Sequence, residues 1–208
     1  MTTHPSHRDP SPTSPSRPRS ESPSRPAAIA VSVYPARLEQ LDEIADVLAR
    51  SFHPRVGVQG LVWPLLRWSI REDSRRRLQG GNPHYCCLGA WVRERLVGTL
   101  EIGLRRTSSS LLGDRQRHPY IANLAVLPHW RRQGVASQLL VGAEAVAIGW
   151  GGECIYLHVL DSNGSARSLY TRAGYSTLGR QPNPWTALGM SPQLLLYKSL
   201  KPPKSPSG

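Results

Sequence analysis

The stretch that decides the fold of this 208-residue chain is residues 120–136, which read YIANLAVLPHWRRQGVA. Ile121 to Val126 predict a strand, which ends at Pro128 because proline has no amide hydrogen to donate. Arg131 to Gly134 form a basic turn, and an apolar helix is predicted from Ala136 to about Ile148. A strand, a glycine turn and a helix therefore follow one another without interruption.

The junction between this strand and this helix has the chemistry of an anion site. The first amides of a helix have no partner inside the helix, and the helix dipole adds partial positive charge at the same end. Gly134 lets the backbone approach a ligand closely, Ala136 keeps the next contact small, and Arg131 adds charge. A pyrophosphate fits such a junction. On these residues alone, an ordinary turn with a solvated basic face is an equal alternative.

Outside this stretch, strand and helix patterns alternate, as in an α/β layer structure. Extended runs are predicted at Ile29–Tyr34, Tyr85–Val92, Leu96–Leu104, Cys154–Val159, Tyr175–Leu178 and Leu194–Leu200. Helices are predicted over residues 38–48, 61–78 and 165–173, and an exposed loop over residues 105–117.

The two ends of the chain differ in composition from its middle. Residues 1–28 hold seven prolines, seven serines and almost no large apolar side chains, which predicts a disordered extension rich in Ser, Pro and Arg. A transit peptide is the alternative, although this density of proline opposes an amphipathic helix. Residues 201–208 predict a second disordered tail. One folded domain is then expected over residues 29–200.

The charge, the cysteines and the apolar runs bound the class of protein. The net charge is +12, of which residues 1–28 and the end from Lys198 contribute +5, and the remaining +7 attracts an anionic cofactor, an acidic protein or nucleic acid alike. No apolar run approaches the roughly 20 residues that span a bilayer. Three cysteines, two of them adjacent, favour a reducing compartment. We therefore expect a soluble cytoplasmic protein, or one of the plastid stroma if residues 1–28 are a transit peptide.

Several short motifs occur in a fixed order around the turn. Arg131, Gly134 and Ala136 fit the pattern of Arg or Gln, two residues, Gly, one residue, and Gly or Ala. The other motifs are Asn123–Pro128 (NLAVLP), Tyr156–Val159 (YLHV), Asn163, Leu169–Tyr170 and Ala173–Tyr175. In this order they resemble the GNAT superfamily of N-acetyltransferases, closely over residues 120–178 and only in the order of elements over residues 29–104. The nearest resemblance is to cyanobacterial and plastid members that acetylate protein N-termini or lysines.

The resemblance implies a single GNAT-like α/β (α+β) domain. Its central sheet is expected to be mixed and mostly antiparallel, with six to seven strands and about four flanking helices. The fourth and fifth strands are expected to splay apart, so that the pantetheine arm of acetyl-CoA lies between them. The cofactor-binding residues are then expected to be Leu124, Ala125, Val126, Arg131, Arg132, Gln133, Gly134, Val135, Ala136, Ser137, Asn163 and Tyr170.

The resemblance also implies roles in catalysis. The amine must lose a proton and the coenzyme A thiolate must gain one. Tyr170 matches the family's general acid, and a phenol with a pKa of about 10 is protonated at neutral pH. His158 is the expected base, at a position where a glutamate is frequent in the family, and Glu101 is the reserve candidate. Asn123 is expected to orient the amine or a water molecule, and no metal site is expected.

Three kinds of function remain open at this point. The first is acetyl-CoA-dependent acetylation of a protein N-terminus or lysine. The second is acetylation of a small amine, whose pocket we expect to carry acids, yet acids are few and scattered here. The third is a non-catalytic basic module that binds nucleic acid or ribosomes through Arg75–Arg77 and the basic ends. Nucleic acid is the least favoured partner, since a run of charge is usually a solvated helix face.

Overall fold

The computed structural model describes residues 29–52, 59–106, 116–181 and 191–201, with residues 52 and 59–66 as backbone only. Within these ranges, one sheet of seven strands is flanked by four α-helices. The strands are β1 Ser32–Pro35, β2 Tyr85–Val92, β3 Arg95–Arg106, β4 Arg117–Val126, β5 Cys154–Leu160, β6 Ser176–Gln181 and β7 Gln193–Ser199. The helices are α1 Leu41–Phe52, α2 Gln59–Gln79, α3 Val135–Gly149 and α4 Gly164–Arg172, with 3₁₀ turns at Leu38–Gln40 and Pro128–Trp130.

The order of strands across the sheet is β1-β2-β3-β4-β5-β7-β6. All neighbouring pairs are antiparallel except β4 and β5, which run parallel. These two pair only at Tyr120 with Tyr156 and at Ile121 with Leu157, although both strands continue beyond those residues. The expected mixed sheet with splayed fourth and fifth strands is therefore confirmed.

The sheet is covered by helices on both faces. Successive side chains of a strand point to opposite sides, so apolar residues of one strand contribute to the core on each face. On one face, residues such as Leu100 and Leu157 pack against α3 and α4. On the other face, Cys87 and Trp91 pack against α1 and α2. Each fully buried leucine contributes about 1.5–3 kcal/mol relative to an exposed one. The two apolar layers hold the helices that flank the gap between β4 and β5.

A β-bulge interrupts β4 just after it leaves β5. Asn123 and Leu124 stand opposite the single β3 residue Leu100. Asn123 takes a left-handed conformation with φ of 51°, which asparagine accepts more readily than most residues. A bulge bends its strand and increases the local twist. The bulge and the end of β4–β5 pairing therefore coincide.

Some strands begin or end at other residues than the sequence predicts. The differences occur where hydrogen bonding to a neighbouring strand, rather than the pattern of apolar residues, determines the end of a strand. The loop expected over residues 105–117 is shorter, because Arg105 and Arg106 extend β3 and Arg117 begins β4 through cross-strand pairing. Residues 107–115 lie outside the described ranges, as do the expected extension at 1–28 and most of the expected tail at 201–208. The first strand begins at Ser32, three residues later than predicted.

Gly98 of β3 tests how tightly α3 packs on the sheet. A Cβ atom there would lie 3.0 Å from the carbonyl oxygen of Ala125 and 3.1 Å from Cγ1 of Val135. We expect Gly98→Ala to lower the free energy of unfolding in urea by about 1–3 kcal/mol through overpacking. Gly103→Ala in the same strand is the control, since its nearest contact would be 3.5 Å away. Equal losses in the two variants would contradict this account of the packing.

Candidate active site

A cavity of about 460 Å³ opens where β4 and β5 separate. It is lined by β4, by the turn before α3, by the first turn of α3 and by α4. Every residue expected from the sequence to bind the cofactor lines it, except Gln133. The residues brought together are Leu124, Ala125, Val126, Arg131, Arg132, Gly134, Val135, Ala136, Ser137, Asn163 and Tyr170. The cavity thus joins expected cofactor-binding residues that are up to 46 positions apart in the sequence, from Leu124 to Tyr170.

The turn before α3 leaves the start of that helix open. Gly134 is the N-cap residue, takes a left-handed conformation with φ of 83°, and makes no side-chain capping bond. Apart from its two chain neighbours, no described residue has an atom within 4 Å of the position that a Cβ atom would occupy there. Arg132 is also left-handed, with φ of 64°. The first-turn amides and the positive end of the helix dipole therefore border the cavity without a capping side chain.

Two side chains hold this turn in place. Arg131 donates from Nε to the carbonyl oxygen of Val126 at 3.0 Å and from Nη2 to that of Ser51 at 3.3 Å. Gln133 donates from Nε2 to the carbonyl oxygen of His129 at 2.8 Å. Gln133 therefore braces the turn instead of lining the cavity, and Arg131 ties the turn to the ends of β4 and α1. The hydrogen bonds of Arg131 to the backbone were not foreseen from the sequence.

Tyr170 lies on the α4 wall of the cavity. Its side chain is buried, and its ring meets that of Tyr175 edge to face, with centroids 5.9 Å apart. Burial is the main cause, and nearby Tyr120 a second cause, of a pKa of Tyr170 raised to about 12. The Oδ1 atom of Asn163 accepts from the amide of Ala166 at 3.1 Å and caps α4. This cap satisfies one of the free amides at the start of the helix that carries Tyr170.

His158 on β5 is hydrogen-bonded through both ring nitrogens. The hydroxyl of Tyr120 lies 2.7 Å from Nδ1, and Oε1 of Gln181 lies 2.9 Å from Nε2. Burial raises the pKa of Tyr120, while Arg105, with its guanidinium carbon 4.9 Å from the ring centroid, opposes that rise. Sequence reasoning missed both Tyr120 and Gln181. The signal for Tyr120 was its place on the fourth strand next to the motif NLAVLP, on the strand that neighbours His158.

Glu101 on β3 is buried and paired with α2. Its Oε2 lies 2.5 Å from Nη1 of Arg77, and Arg77 also pairs with Asp73. Glu101 lines a second cavity of about 150 Å³, which Tyr85 and Tyr120 also line. Burial, and after it the charge of Glu101, raises the pKa of Tyr85. The reserve candidate for the base therefore lies beside Tyr120, with an arginine already bound to it.

Asn123 occupies the bulge of β4 with an exposed side chain. It lines neither of the two cavities. Its conformation matters for the backbone of β4, since the bulge begins there. Asn123 thus lies next to Leu124 of the larger cavity, and its expected role with the amine stays a prediction.

The described part of the chain holds no group of three or more His, Cys, Asp or Glu side chains arranged to bind a metal ion. In the same ranges, no helix combines the length and the apolar character that crossing a bilayer requires.

Comparison with known proteins bears on the whole site. Residues 45–175 match the model of the acetyltransferase (GNAT) family. Three relatives from Arabidopsis thaliana carry the names GCN5-related N-acetyltransferase 10, 6 and 7, chloroplastic. The first is 30% identical over 174 residues, which is 77% of this chain and 68% of the relative. The second is 36% identical over 152 residues (60% and 52%), and the third is 30% identical over 118 residues (56% and 39%). The chain thus spans between 39% and 68% of their lengths.

Solved structures share the fold at low sequence identity. The PaiA N-acetyltransferase of Thermoplasma acidophilum in complex with coenzyme A has a TM-score of 0.62 and 16% identity, covering 82% of this chain and 99% of that one. An aminoglycoside 6′-N-acetyltransferase complexed with coenzyme A has a TM-score of 0.61 and 17% identity, covering 84% and 99%. The ribosomal-protein-S18-alanine N-acetyltransferase of Escherichia coli has a TM-score of 0.59 and 14% identity, covering 86% and 99%.

These structural similarities establish the fold, and the match to the family model establishes the family. The match over residues 45–175 covers more than half of the chain and includes the turn, the parallel strand pair and α4. The chain therefore belongs to the acetyltransferase (GNAT) family.

Proposed function

We propose that this chain is an N-acetyltransferase that transfers the acetyl group of acetyl-CoA to a primary amine of a protein, at an N-terminus or a lysine. The observation that carries the proposal is the 460 Å³ cavity, where the uncapped start of α3 and the hydroxyl-bearing Tyr170 border the same space. A binding site for a phosphate and a group able to assist a leaving thiolate thus occur together. Two structures of the same fold are complexes with coenzyme A, which supports the identity of the donor.

Acetyl-CoA is expected to lie along the gap between β4 and β5. The diphosphate is an anion that suits the uncapped amides at the start of α3, next to Gly134. The pantetheine arm carries amide groups, and the edge of β4 that β5 leaves unpaired beyond Ile121 offers backbone partners for them at Leu124, the carbonyl of Val126 being bonded to Arg131. The thioester then comes near Tyr170. Arg131 and Gln133 keep the turn preorganised, which lowers the cost of binding.

The chemistry follows from the groups around this position. The amine nitrogen attacks the thioester carbon, a C–N bond forms, and the C–S bond breaks as its electron pair moves to sulfur. Tyr170 donates a hydrogen bond to that sulfur. Because the pKa of Tyr170 is raised to about 12, above the value of about 8.5 typical of thiols, its main contribution is stabilisation of the thiolate by this hydrogen bond. The phenol or the solvent then supplies the proton that completes coenzyme A.

The proton of the amine leaves through Tyr120 and His158. The hydroxyl of Tyr120 accepts it while passing its own proton to Nδ1 of His158, 2.7 Å away. The pKa of Tyr120 is raised, so a phenolate does not accumulate and the imidazole holds the proton. Glu101 is less suited to this role because Arg77 already binds its carboxylate.

The charges beside Tyr120 support a protein amine over a polycationic small molecule. The 150 Å³ cavity next to it contains one buried carboxylate, Glu101, which is paired with Arg77. Arg105 adds positive charge at the ring of Tyr120. A pocket for an aminoglycoside-like cation is expected to carry uncompensated acids. Neither the cavity nor its rim offers this among the described side chains.

The arginines 75–77, which motivate the alternative of a nucleic-acid-binding module, form ion pairs with neighbouring acidic side chains. Arg75 and Arg76 pair with Glu72, and Arg77 pairs with Asp73 and Glu101. Binding to nucleic acid requires Lys or Arg side chains that are free to neutralise phosphates, which releases the counterions of the nucleic acid. These ion pairs therefore speak against the run as a nucleic-acid site and favour the enzyme.

The compartment stays a prediction. Residues 1–28, which the transit-peptide alternative concerns, lie outside the described ranges. The relatives are named as chloroplastic, which supports the plastid stroma over the cytoplasm as the site of action.

Gly134 provides a test of the cofactor site. Gly134→Asp and Gly134→Asn place side chains of nearly the same shape at the same left-handed position, and only aspartate adds negative charge. We expect the aspartate variant to bind acetyl-CoA at least about tenfold more weakly than the asparagine variant in calorimetry, because its charge faces the diphosphate. Equal affinities would show that no phosphate lies at the start of α3.

Tyr170 provides a test of the chemistry. We expect Tyr170→Phe to lower kcat by about 100-fold or more while the Kd for acetyl-CoA stays within about twofold. The matched control is Tyr175→Phe, which removes a hydroxyl from the ring packed against Tyr170 and should retain turnover. If Tyr170→Phe turned over as fast as the unchanged protein, Tyr170 would have no role at the sulfur.

The acceptor is tested by mass spectrometry of peptides and host proteins incubated with the protein and acetyl-CoA. We expect acetylation of α-amines or lysines of peptides, and little transfer to aminoglycosides assayed in parallel. Transfer to aminoglycosides without transfer to peptides would establish the small-amine alternative. Salt-sensitive RNA binding without any transfer would establish the non-catalytic module.

A further inference from the structure

We infer that Gln181 is a positioning residue that holds His158 in the tautomer able to receive a proton from Tyr120. The inference rests on the proposed function, because it concerns the same proton path. Neither the motifs of the turn nor those of α4 include Gln181, and it lies on β6, two strands away from His158. Its role follows from a hydrogen bond that spans the strand between them.

The hydrogen bond crosses β7. His158 of β5 is in register with Leu195 of β7, and Gln181 of β6 is in register with Gln193 of the same strand. The side chain of Gln181 must therefore reach over β7 to bring Oε1 to 2.9 Å from Nε2 of His158. Leu195 is fully buried in this region. A long side chain that holds such a contact across a strand restricts the imidazole ring from the side opposite Tyr120.

The contact favours one of the two neutral tautomers of His158. An amide oxygen has lone pairs and no proton, so it can only accept a hydrogen bond. With the amide oxygen of Gln181 facing the ring at 2.9 Å, we infer that Nε2 of His158 carries the hydrogen and donates it to Oε1. In a neutral imidazole the other nitrogen is unprotonated. Nδ1 therefore presents its lone pair to the hydroxyl of Tyr120 at 2.7 Å, which donates to it.

The same contact stabilises the ring after proton transfer. When Tyr120 accepts the proton of the amine and passes its own proton to Nδ1, His158 becomes an imidazolium with two N–H groups. Nδ1–H then donates to the oxygen of Tyr120 and Nε2–H continues to donate to Gln181, so both donors are satisfied. Gln181 thus supports the charged form without itself carrying charge. No atom other than the transferred protons has to move.

The polar and charged groups around His158 determine how its pKa responds to a change at position 181. Tyr120 faces the imidazole from β4 and Gln181 from β6, and Arg105 of β3 lies over the ring of Tyr120. Tyr170 of α4 interacts with Tyr120 electrostatically. Glu101 shares the smaller cavity with Tyr120, and its charge is paired with that of Arg77 of α2. Among the described side chains, no carboxylate is hydrogen-bonded to His158. A carboxylate introduced at position 181 would be the first.

The experiment measures His158 directly by ¹⁵N NMR of the full chain labelled at histidine, without acetyl-CoA or acceptor. In the unchanged protein we expect the Nε2–H tautomer. Gln181→Glu should raise the pKa of His158 by about one unit or more, because the carboxylate favours the imidazolium. Gln181→Leu should lower this pKa, because the Nε2–H loses its acceptor. The limb of the kcat/KM profile that reports the base should move in the same direction in each variant, to higher pH and to lower pH respectively.

Gln193→Glu is the matched control. It adds the same charge at the residue in register with Gln181, on a side chain without a hydrogen bond to His158. We expect its shift of the His158 pKa to be less than half of that in Gln181→Glu. An Nδ1–H tautomer in the unchanged protein, or equal shifts in the two glutamate variants, would overturn the inference. If the NMR results are as expected and no acetyl transfer occurs, the positioning role stands and the proposed function fails.

Discussion

The constraint on which the site depends is the incomplete pairing of β4. A strand in the interior of a sheet normally satisfies its backbone groups on both edges, because an unpaired buried amide or carbonyl is costly. β4 pairs along its length with β3, yet it pairs with β5 at two positions only. The remaining edge faces a cavity instead of a neighbour. A ligand with amide groups of its own could complete the sheet there, since the gap in the hydrogen-bond ladder and the cavity coincide.

The parts of the site that the sequence predicts are local. The turn from Arg131 to Gly134, the start of α3 and the tyrosine of α4 each depend on neighbours within a few residues, on a glycine that accepts positive φ and on an asparagine cap. The mixed sheet and the splay of its fourth and fifth strands are expected from the resemblance of the ordered motifs to the GNAT superfamily, whereas the order of the strands across the sheet comes from the structure alone. The local features can therefore be predicted from the sequence. The ends of β3 and β4 cannot, because the polar residues there are extended only through their pairing with each other.

The parts that the sequence does not predict join distant residues through side chains. Tyr120 and His158 are 38 positions apart, His158 and Gln181 are 23 apart, and Arg77 and Glu101 are 24 apart. No periodicity or capping rule links such pairs, since each depends on how strands and helices come to lie in space. The pair of Arg77 and Glu101 also shows why a formal charge is a poor guide to a partner. An arginine run that reads as a cationic surface is bound to acids of α2 and of the sheet.

The placement of β7 between β5 and β6 has a consequence for how the protein is made. β6 precedes β7 in the chain, and in the described sheet β7 is its hydrogen-bonded neighbour. During synthesis on the ribosome, β6 can therefore join the sheet only after β7, which is made later, has paired with β5. Long-range pairing of this kind is slow to form. A nascent chain can thus form the turn before α3 early, whereas the side chain of Gln181 comes within reach of His158 only after β7 has been inserted.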